Sequence, residues 1–274
     1  MEPSLAAYNR PLFFYGWSLV IPWGFWFLVG YISHSAYSDY TALQGILGII
    51  GLLAPILVAT YLFLSNRNLL TDLKTRLFSL KGITLHYLLI ALLLPPISII
   101  IAQLLSLLMG HSLAQFHISG HPSFSSALFS PWFLLMFAPL VEELAWHSYG
   151  TDALRRRYNL FTTGIIFAIF WALWHIPLAS VKGYYQNNLL IEGWQYTLNF
   201  FLSVFIFVIL INWLYMKAAR NIWITVIFHL SANLSNEIFA THPDSKIIQS
   251  LLFLLLVIYL VRHEHALFFN KPPL

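Results

Sequence analysis

The chain has no cysteine and very little charge. Only 9% of its 274 residues are Asp, Glu, Lys or Arg, against about 25% in a soluble domain whose surface must face water. A surface this poor in charge has to meet something apolar. That excludes a soluble enzyme, a disordered chain and a binder of nucleic acid through a basic face. Without cysteine there is no disulfide, no thiolate nucleophile and no cysteine-based zinc site. Nor is a cleavable leader expected. Residues 1–10 are short and mixed, and the apolar stretch behind them runs to about Ile32 with no small-residue cleavage site.

What the chain has instead is apolar length, with 59% hydrophobic residues. A hydrocarbon core about 30 Å thick takes roughly 20 residues of helix at 1.5 Å each. Eight stretches meet that measure, near 11–32, 43–65, 84–109, 130–154, 160–181, 195–216, 222–241 and 247–262. They are too long and too uniform for strands, and a lipid-facing backbone must satisfy its own hydrogen bonds. The expectation is one all-α, multi-pass integral membrane domain over 1–274, in the plasma or inner membrane. Basic residues set its orientation. With the N-terminus cytoplasmic, 12 of the 14 Lys and Arg fall in inside segments, and only Lys182 and Lys246 fall outside. Eight spans then put both termini in the cytoplasm.

Residues 65–81 read as an amphipathic helix on the membrane surface. Leu69, Leu70, Leu73, Leu77 and Leu80 recur at helical spacing, with Arg67, Lys74, Arg76 and Lys81 between them facing anionic lipid. The pair Pro95-Pro96 should kink the third span. The longest outer loop is 110–127. Its histidines, His111, His117 and His121, lie among Ser and Gly and read as plain loop.

Chemistry is concentrated where polar groups enter the apolar stretches. Three of the ten acidic residues, Glu142, Glu143 and Glu237, fall inside spans. Glu142 and Glu143 stand about 16 Å into the fourth. Together they cost on the order of 5–7 kcal/mol before any partner is counted. Consecutive helix positions are 100° apart, so the two side chains serve different neighbours. Glu143 shares a face with His147, four residues on, while Glu142 is free to face a cavity. Two further histidines lie inside spans. His175 follows Trp171 by one turn and precedes Pro177, which frees a carbonyl. His229, Asn233 and Glu237 form a stripe at i, i+4, i+8. Counted along ideal spans, His175 and His229 differ by roughly 12 Å in depth, which tilted helices would have to close.

One carboxylate, two imidazoles and an amide suit two chemistries. In one, a desolvated Glu142 takes a proton from water while His and Asn donate to the oxyanion of an amide. In the other, Glu142, His175 and His229 ligate Zn²⁺ and leave one position for water. Both end in peptide-bond hydrolysis.

Glu142-Glu143 with a polar residue at 147, Trp171 one turn before His175, and His229 with Asn233 resemble three motifs, EExxxR, FxxxH and HxxxN. These belong to the CAAX-prenyl-protease and bacteriocin-processing (CPBP, or Abi) intramembrane proteases. The resemblance covers roughly residues 130–240, spans four to seven. It implies that Glu142 is the general base, with His175 holding the water and His229 and Asn233 stabilising the oxyanion. Glu143 would be the structural partner of the motif's arginine, and the substrate a hydrophobic or lipidated peptide reached from membrane lipid. Such enzymes are described both as metalloproteases and as metal-free glutamate proteases. The chain departs from the pattern in having Trp171 for Phe, Ser148 for the usual Gly, and His147 for Arg. The last leaves three outcomes open: an adapted protease, an extra metal ligand, or a member that binds without cleaving. A proton-coupled transporter with a Glu/His relay is the alternative of another class, though no inverted repeat is legible.

Overall fold

The computed structural model describes residues 5–271. Its helices are α1 Pro11–His34, α2 Thr41–Leu64, α3 Arg67–Phe78, α4 Leu85–Leu107, α5 Pro131–Ala145 and α6 Thr151–Arg155. After these come α7 Leu160–Trp174, α8 Tyr185–Glu192, α9 Trp194–Lys217, α10 Ile222–Ile238, α11 Pro243–His263 and α12 His265–Phe269. The fold is all-helical. Among the described residues, extended pairing is confined to one antiparallel bridge between Ile118 and Phe239, which ties the long loop to the end of α10.

Six helical segments are long and apolar enough to cross a membrane: 11–34, 41–64, 85–107, 160–180, 194–217 and 243–263. The other two expected spans are the ones that carry the acids and the Asn stripe, and both are shorter. α10 has 17 residues. The expected helix over 130–154 is interrupted: α5 stops at Ala145, a π-turn covers Trp146–Gly150, and α6 carries the path to Arg155. Large apolar side chains such as Leu57, Leu104, Ile97 and Leu255 stand exposed on α2, α4 and α11, as an acyl environment requires. Two buried clusters fill the interior, one aromatic around Phe14, Trp146, Phe167 and Trp174, the other aliphatic around Leu210, Leu214, Ile224 and Phe228.

Backbone groups released by helix breaks are met from neighbouring helices. α4 continues through Pro95-Pro96. Pro96 has no N–H for the carbonyl of Leu92, and Ser231 Oγ on α10 donates to that oxygen at 2.8 Å. At the π-turn, the carbonyls of His147 and Ser148 accept from Arg76 Nη1 (3.0 Å) and Nη2 (2.7 Å). The approach of α1 to α2 requires glycine at 51, since a Cβ there would lie 2.4 Å from Trp26 Nε1.

Arg76 corrects the reading of 65–81. The segment is helical, and its Arg67 and Lys74 are exposed as expected, but Asp72 and Arg76 point inward and are buried. Arg76 pairs with Asp72 (2.9 Å) and Asp152 (3.4 Å), and Arg220 pairs with Asp72 (3.0 Å) and Asp152. Tyr8 and Tyr215 complete the group through their hydroxyls. Asn221 Nδ2 and Trp223 Nε1 also donate to the carbonyls of Ser79 and Leu77, fastening α3 to the start of α10. Burial of four charges outweighs amphipathic periodicity here because each has an opposite partner. Arg220 reaches its place at a positive φ of 62°, a left-handed backbone that a long side chain rarely adopts.

Replacing Arg76 with Ala would orphan two carbonyls and leave Asp72 and Asp152 with one fewer cation. The expected loss is about 3–5 kcal/mol, read as a lower Tm in detergent. Arg76→Lys should recover only part of it, because a single ammonium cannot span both carbonyls.

Candidate active site

The π-turn begins at Trp146, three residues after Glu143, so the carboxylates stand in the last turn of α5 before the helix changes register. Both are buried, at 6% and 1% exposure, and they face different partners. Glu142 Oε2 accepts from the indole N–H of Trp146 at 3.4 Å and of Trp171 at 3.1 Å. Among the described residues its Oε1 has no protein partner, and Glu142 lines a cavity of about 360 Å³.

Glu143 is turned away from that cavity. Its Oε1 accepts from His229 Nδ1 at 2.9 Å, and its Oε2 is bonded to His147 Nδ1. The second nitrogen of His147, Nε2, faces Asn212 Oδ1 at 2.9 Å. The ring thus turns one nitrogen to the carboxylate and the other to an amide. An arginine fork at 147 would place donors in the same two directions. Asn212 is the single amide within the apolar run of α9 from Val204 to Leu214, and that isolation was the sequence signal for it.

Trp171 joins the parts. Its ring stacks on Phe167 at 5.6 Å and meets His229 edge-on at 5.3 Å and His175 at 5.7 Å. Its carbonyl accepts from His175 Nδ1 at 2.7 Å. α7 ends at Trp174, and a 3₁₀ turn, Ile176–Ser180, follows with Pro177 inside it. The break lets His175 cap the last turn of α7 through its own side chain. Both His175 and His229 therefore commit Nδ1 to an oxygen and, among the described residues, leave Nε2 uncommitted, which gives the two rings one pattern. The depth difference counted along ideal spans does not keep them apart, since both rings contact Trp171. Asn233 lines the same cavity, half-buried, and its amide has no side-chain partner among the described residues.

The cavity continues past α10 toward the loop ends. It is walled by apolar side chains such as Val29, Leu52, Leu135 and Phe200 and ends among Tyr185, Tyr196, Glu237 and Lys246. Glu237 accepts from the backbone N–H of Ser123 at 2.6 Å and from Lys246 Nζ at 3.1 Å. α11 begins four residues earlier than its apolar run suggested, which puts Lys246 in the first turn of the helix rather than in a loop.

Close approach of metal-ligating groups picks out a different set. Among the described residues, the group of three ligating side chains whose donor atoms lie within 4.8 Å of one another is His111, His242 and Asp244. Glu142, His175 and His229 are not brought that close together, although Glu142 Oε1 and the Nε2 atoms of both histidines have no protein partner among the described residues. His111 Nε2 lies 3.0 Å from Asp244 Oδ2, so this loop histidine is fastened to the start of α11. Its partners are distant in the chain, and spacing alone did not reveal them.

A family model described as type II CAAX prenyl endopeptidase Rce1-like matches residues 124–235. Over 270 residues the chain is 37% identical to CAAX prenyl protease 2 of Methanococcus maripaludis, covering 98% of each protein.

Changing His147 to Leu would leave Glu143 with one partner and Asn212 with none. A loss of about 3–5 kcal/mol is expected, measured as Tm in detergent. His147→Arg should stay within about 1–2 kcal/mol of the parent, because both acceptors keep a donor.

Proposed function

This chain belongs to the Rce1-like family of type II CAAX prenyl endopeptidases and is a multi-pass membrane hydrolase, and on that footing we propose that it cuts a membrane-associated or prenylated peptide with a water activated by Glu142. The observation that carries the reading is the asymmetry of Glu142. Two indole N–H groups hold one carboxylate oxygen, and the other is left to the cavity shared with His175 and His229.

In this mechanism a water sits between Glu142 Oε1 and His175 Nε2. Glu142 takes its proton as the oxygen attacks the scissile carbonyl carbon. His229 and the Asn233 amide donate to the oxyanion that forms, in a site where low dielectric strengthens each contact. Glu142 then passes the proton to the amine as the C–N bond breaks, so its charge is restored. Glu143 and His147 take no part in proton transfer. They orient His229 and satisfy each other's buried polar atoms. The arginine fork is exchanged for a ring that serves the same acceptors, which favours an active enzyme over a member that binds without cleaving.

The proposed catalytic unit is residues 130–240, within eight spans counting α5–α6 and α10. The arginine-rich ends and both termini are assigned to the cytoplasm, and α3 to the membrane surface on that side. The cavity-lining loops 124–129 and 181–184 lie at the opposite ends of the spans. Orientation therefore decides the face from which substrate arrives.

Reconstituted in vesicles with membrane-tethered peptides, the wild type should cleave. Glu142→Gln should lose about 10²–10⁴-fold, and His229→Ala or Asn233→Ala about 10²–10³-fold, all with unchanged insertion. His175→Ala should abolish turnover. Undiminished cleavage by Glu142→Gln would end the reading. A chelator should leave the rate unchanged, whereas loss rescued by zinc would replace the general base with a metal. Because the chain lacks cysteine, single substitutions report topology directly. Arg157→Cys should label from the cytoplasm and Ser126→Cys should not. The reverse pattern would turn the molecule over and bring the cavity mouth to the cytoplasmic face.

A further inference from the structure

The long loop meets the start of α11 at the ends of the spans opposite the arginine-rich face. There His111, His242 and Asp244 gather, one ligating atom from each, all within 4.8 Å of one another. Asp244 Oδ2 is the shared point. It lies 3.0 Å from His111 Nε2 and 3.5 Å from His242 Nδ1. The two imidazoles face each other with ring centres 4.1 Å apart. Around Zn²⁺, N and O ligands at about 2.0–2.1 Å stand about 3.3–3.4 Å apart along the edges of a tetrahedron. The two separations at Oδ2 bracket that edge. Closing the third takes a turn of the His242 ring, the most exposed of the three side chains at 43%.

Fastening the loop to the helix would need only one of these histidines. His111 already does it through Asp244. His242 caps α11 by accepting from Asp244 N–H at 3.2 Å, a position where Ser, Thr, Asp and Asn are the usual residues. That bond shows which His242 nitrogen is bare. Nδ1 carries the lone pair, as a ligating imidazole must.

The backbones that carry the three side chains are held from beneath. Gln103 Nε2 donates to the Gln115 carbonyl at 3.0 Å and to Thr241 Oγ1 at 2.8 Å. Ser245 Oγ donates to Gln115 Oε1 at 2.7 Å. Gln103, Gln115 and Ser245 are all buried. On α9, Tyr196 donates its hydroxyl to Asp244 Oδ1 at 3.0 Å and leaves Oδ2 for the histidines. An outer hydrogen bond of this kind fixes the orientation of a ligating carboxylate. The start of a helix repels a cation, and Asp244 in the first turn of α11 supplies the opposing charge. Lys246, two residues on, is turned to Glu237.

We propose that His111, His242 and Asp244 bind one Zn²⁺, with water as the fourth ligand, as a clasp between the long loop and α11. Two imidazoles and a carboxylate, without a thiolate, are a ligand set that zinc takes. The ion replaces the proton that His111 Nε2 shares with Asp244 Oδ2, and that proton passes to water. The clasp is structural. From His111 the loop runs on to Phe124 and Ser126 in the cavity wall, so the ion steadies that wall from outside and touches no reacting atom. It stands independently of the hydrolytic reading, because its readouts are binding and stability.

The test titrates full-length protein in detergent, free of any histidine tag, with Zn²⁺ alone. Wild type should bind one equivalent saturably. Zn²⁺ at 100 times its Kd should raise the Tm by about 5 °C or more. His111→Ala, His242→Ala and Asp244→Asn should each weaken binding at least about 100-fold, and Tyr196→Phe about 10-fold. His265→Ala, in the tail, should change neither binding nor the Tm increment. Co²⁺ in place of zinc should give the visible absorption of a four-coordinate ion, lost in His111→Ala. The readout is the increment caused by the ion, so a variant of lower starting stability still reports. Wild type without saturable binding overturns the clasp. Binding that persists undiminished in all three ligand variants marks adventitious sites elsewhere and overturns it too.

Discussion

Two adjacent carboxylates in the interior of an apolar bundle are the constraint from which the rest of the structure follows. Glu143 is the one that must be neutralised outright, and it is shared between His147 on its own helical path and His229 on α10. A single hydrogen bond contributes about 1 kcal/mol net, whereas an unpartnered buried charge costs several. Glu143 therefore dictates how α10 docks against α5, and with it where His229 and Asn233 stand. Asn212 extends the same chain to α9. Three helices are locked in register by one acid.

Glu142 shows the opposite design with the same residue type. Its partners are two indoles, which are neutral donors and leave its charge available. The 100° between consecutive helix positions makes this division possible. One carboxylate is spent on architecture and its neighbour is kept for chemistry. Trp171 holds the arrangement together because a single indole supplies a donor to Glu142, a face or edge to both histidines, and a carbonyl to His175.

Helix irregularities supply the remaining geometry. A membrane interior offers no water to satisfy a released backbone group, so each break needs a named partner. Ser231 serves the carbonyl released at Pro96, Arg76 serves two at the π-turn, and His175 serves the end of α7. In each case the repair joins distant elements or aims a functional ring. α1, α2, α4 and α11 each run as one continuous helix, α4 through its Pro95-Pro96 pair.

Hydropathy and charge were sufficient to establish a multi-pass helical membrane protein, because lipid tolerates only apolar, self-bonded backbone over such lengths. The candidate residues Glu142, Glu143, His147, His175, His229 and Asn233 were legible for the same reason: a polar group inside an apolar run is expensive enough to stand out. Partner assignments were not legible. Arg76 looked like a surface cation by its spacing, and only packing revealed Asp72, Asp152 and two carbonyls around it. His111 looked like loop, and Asp244, its partner, is more than a hundred residues away. Lys246 looked like an outside charge until α11 began one turn early and carried it into the cavity. Periodicity along a chain reports which face of one helix is apolar. Which polar groups on different helices meet is decided by tilt, breaks and the pairing of buried charge, and those exist only once the helices are packed.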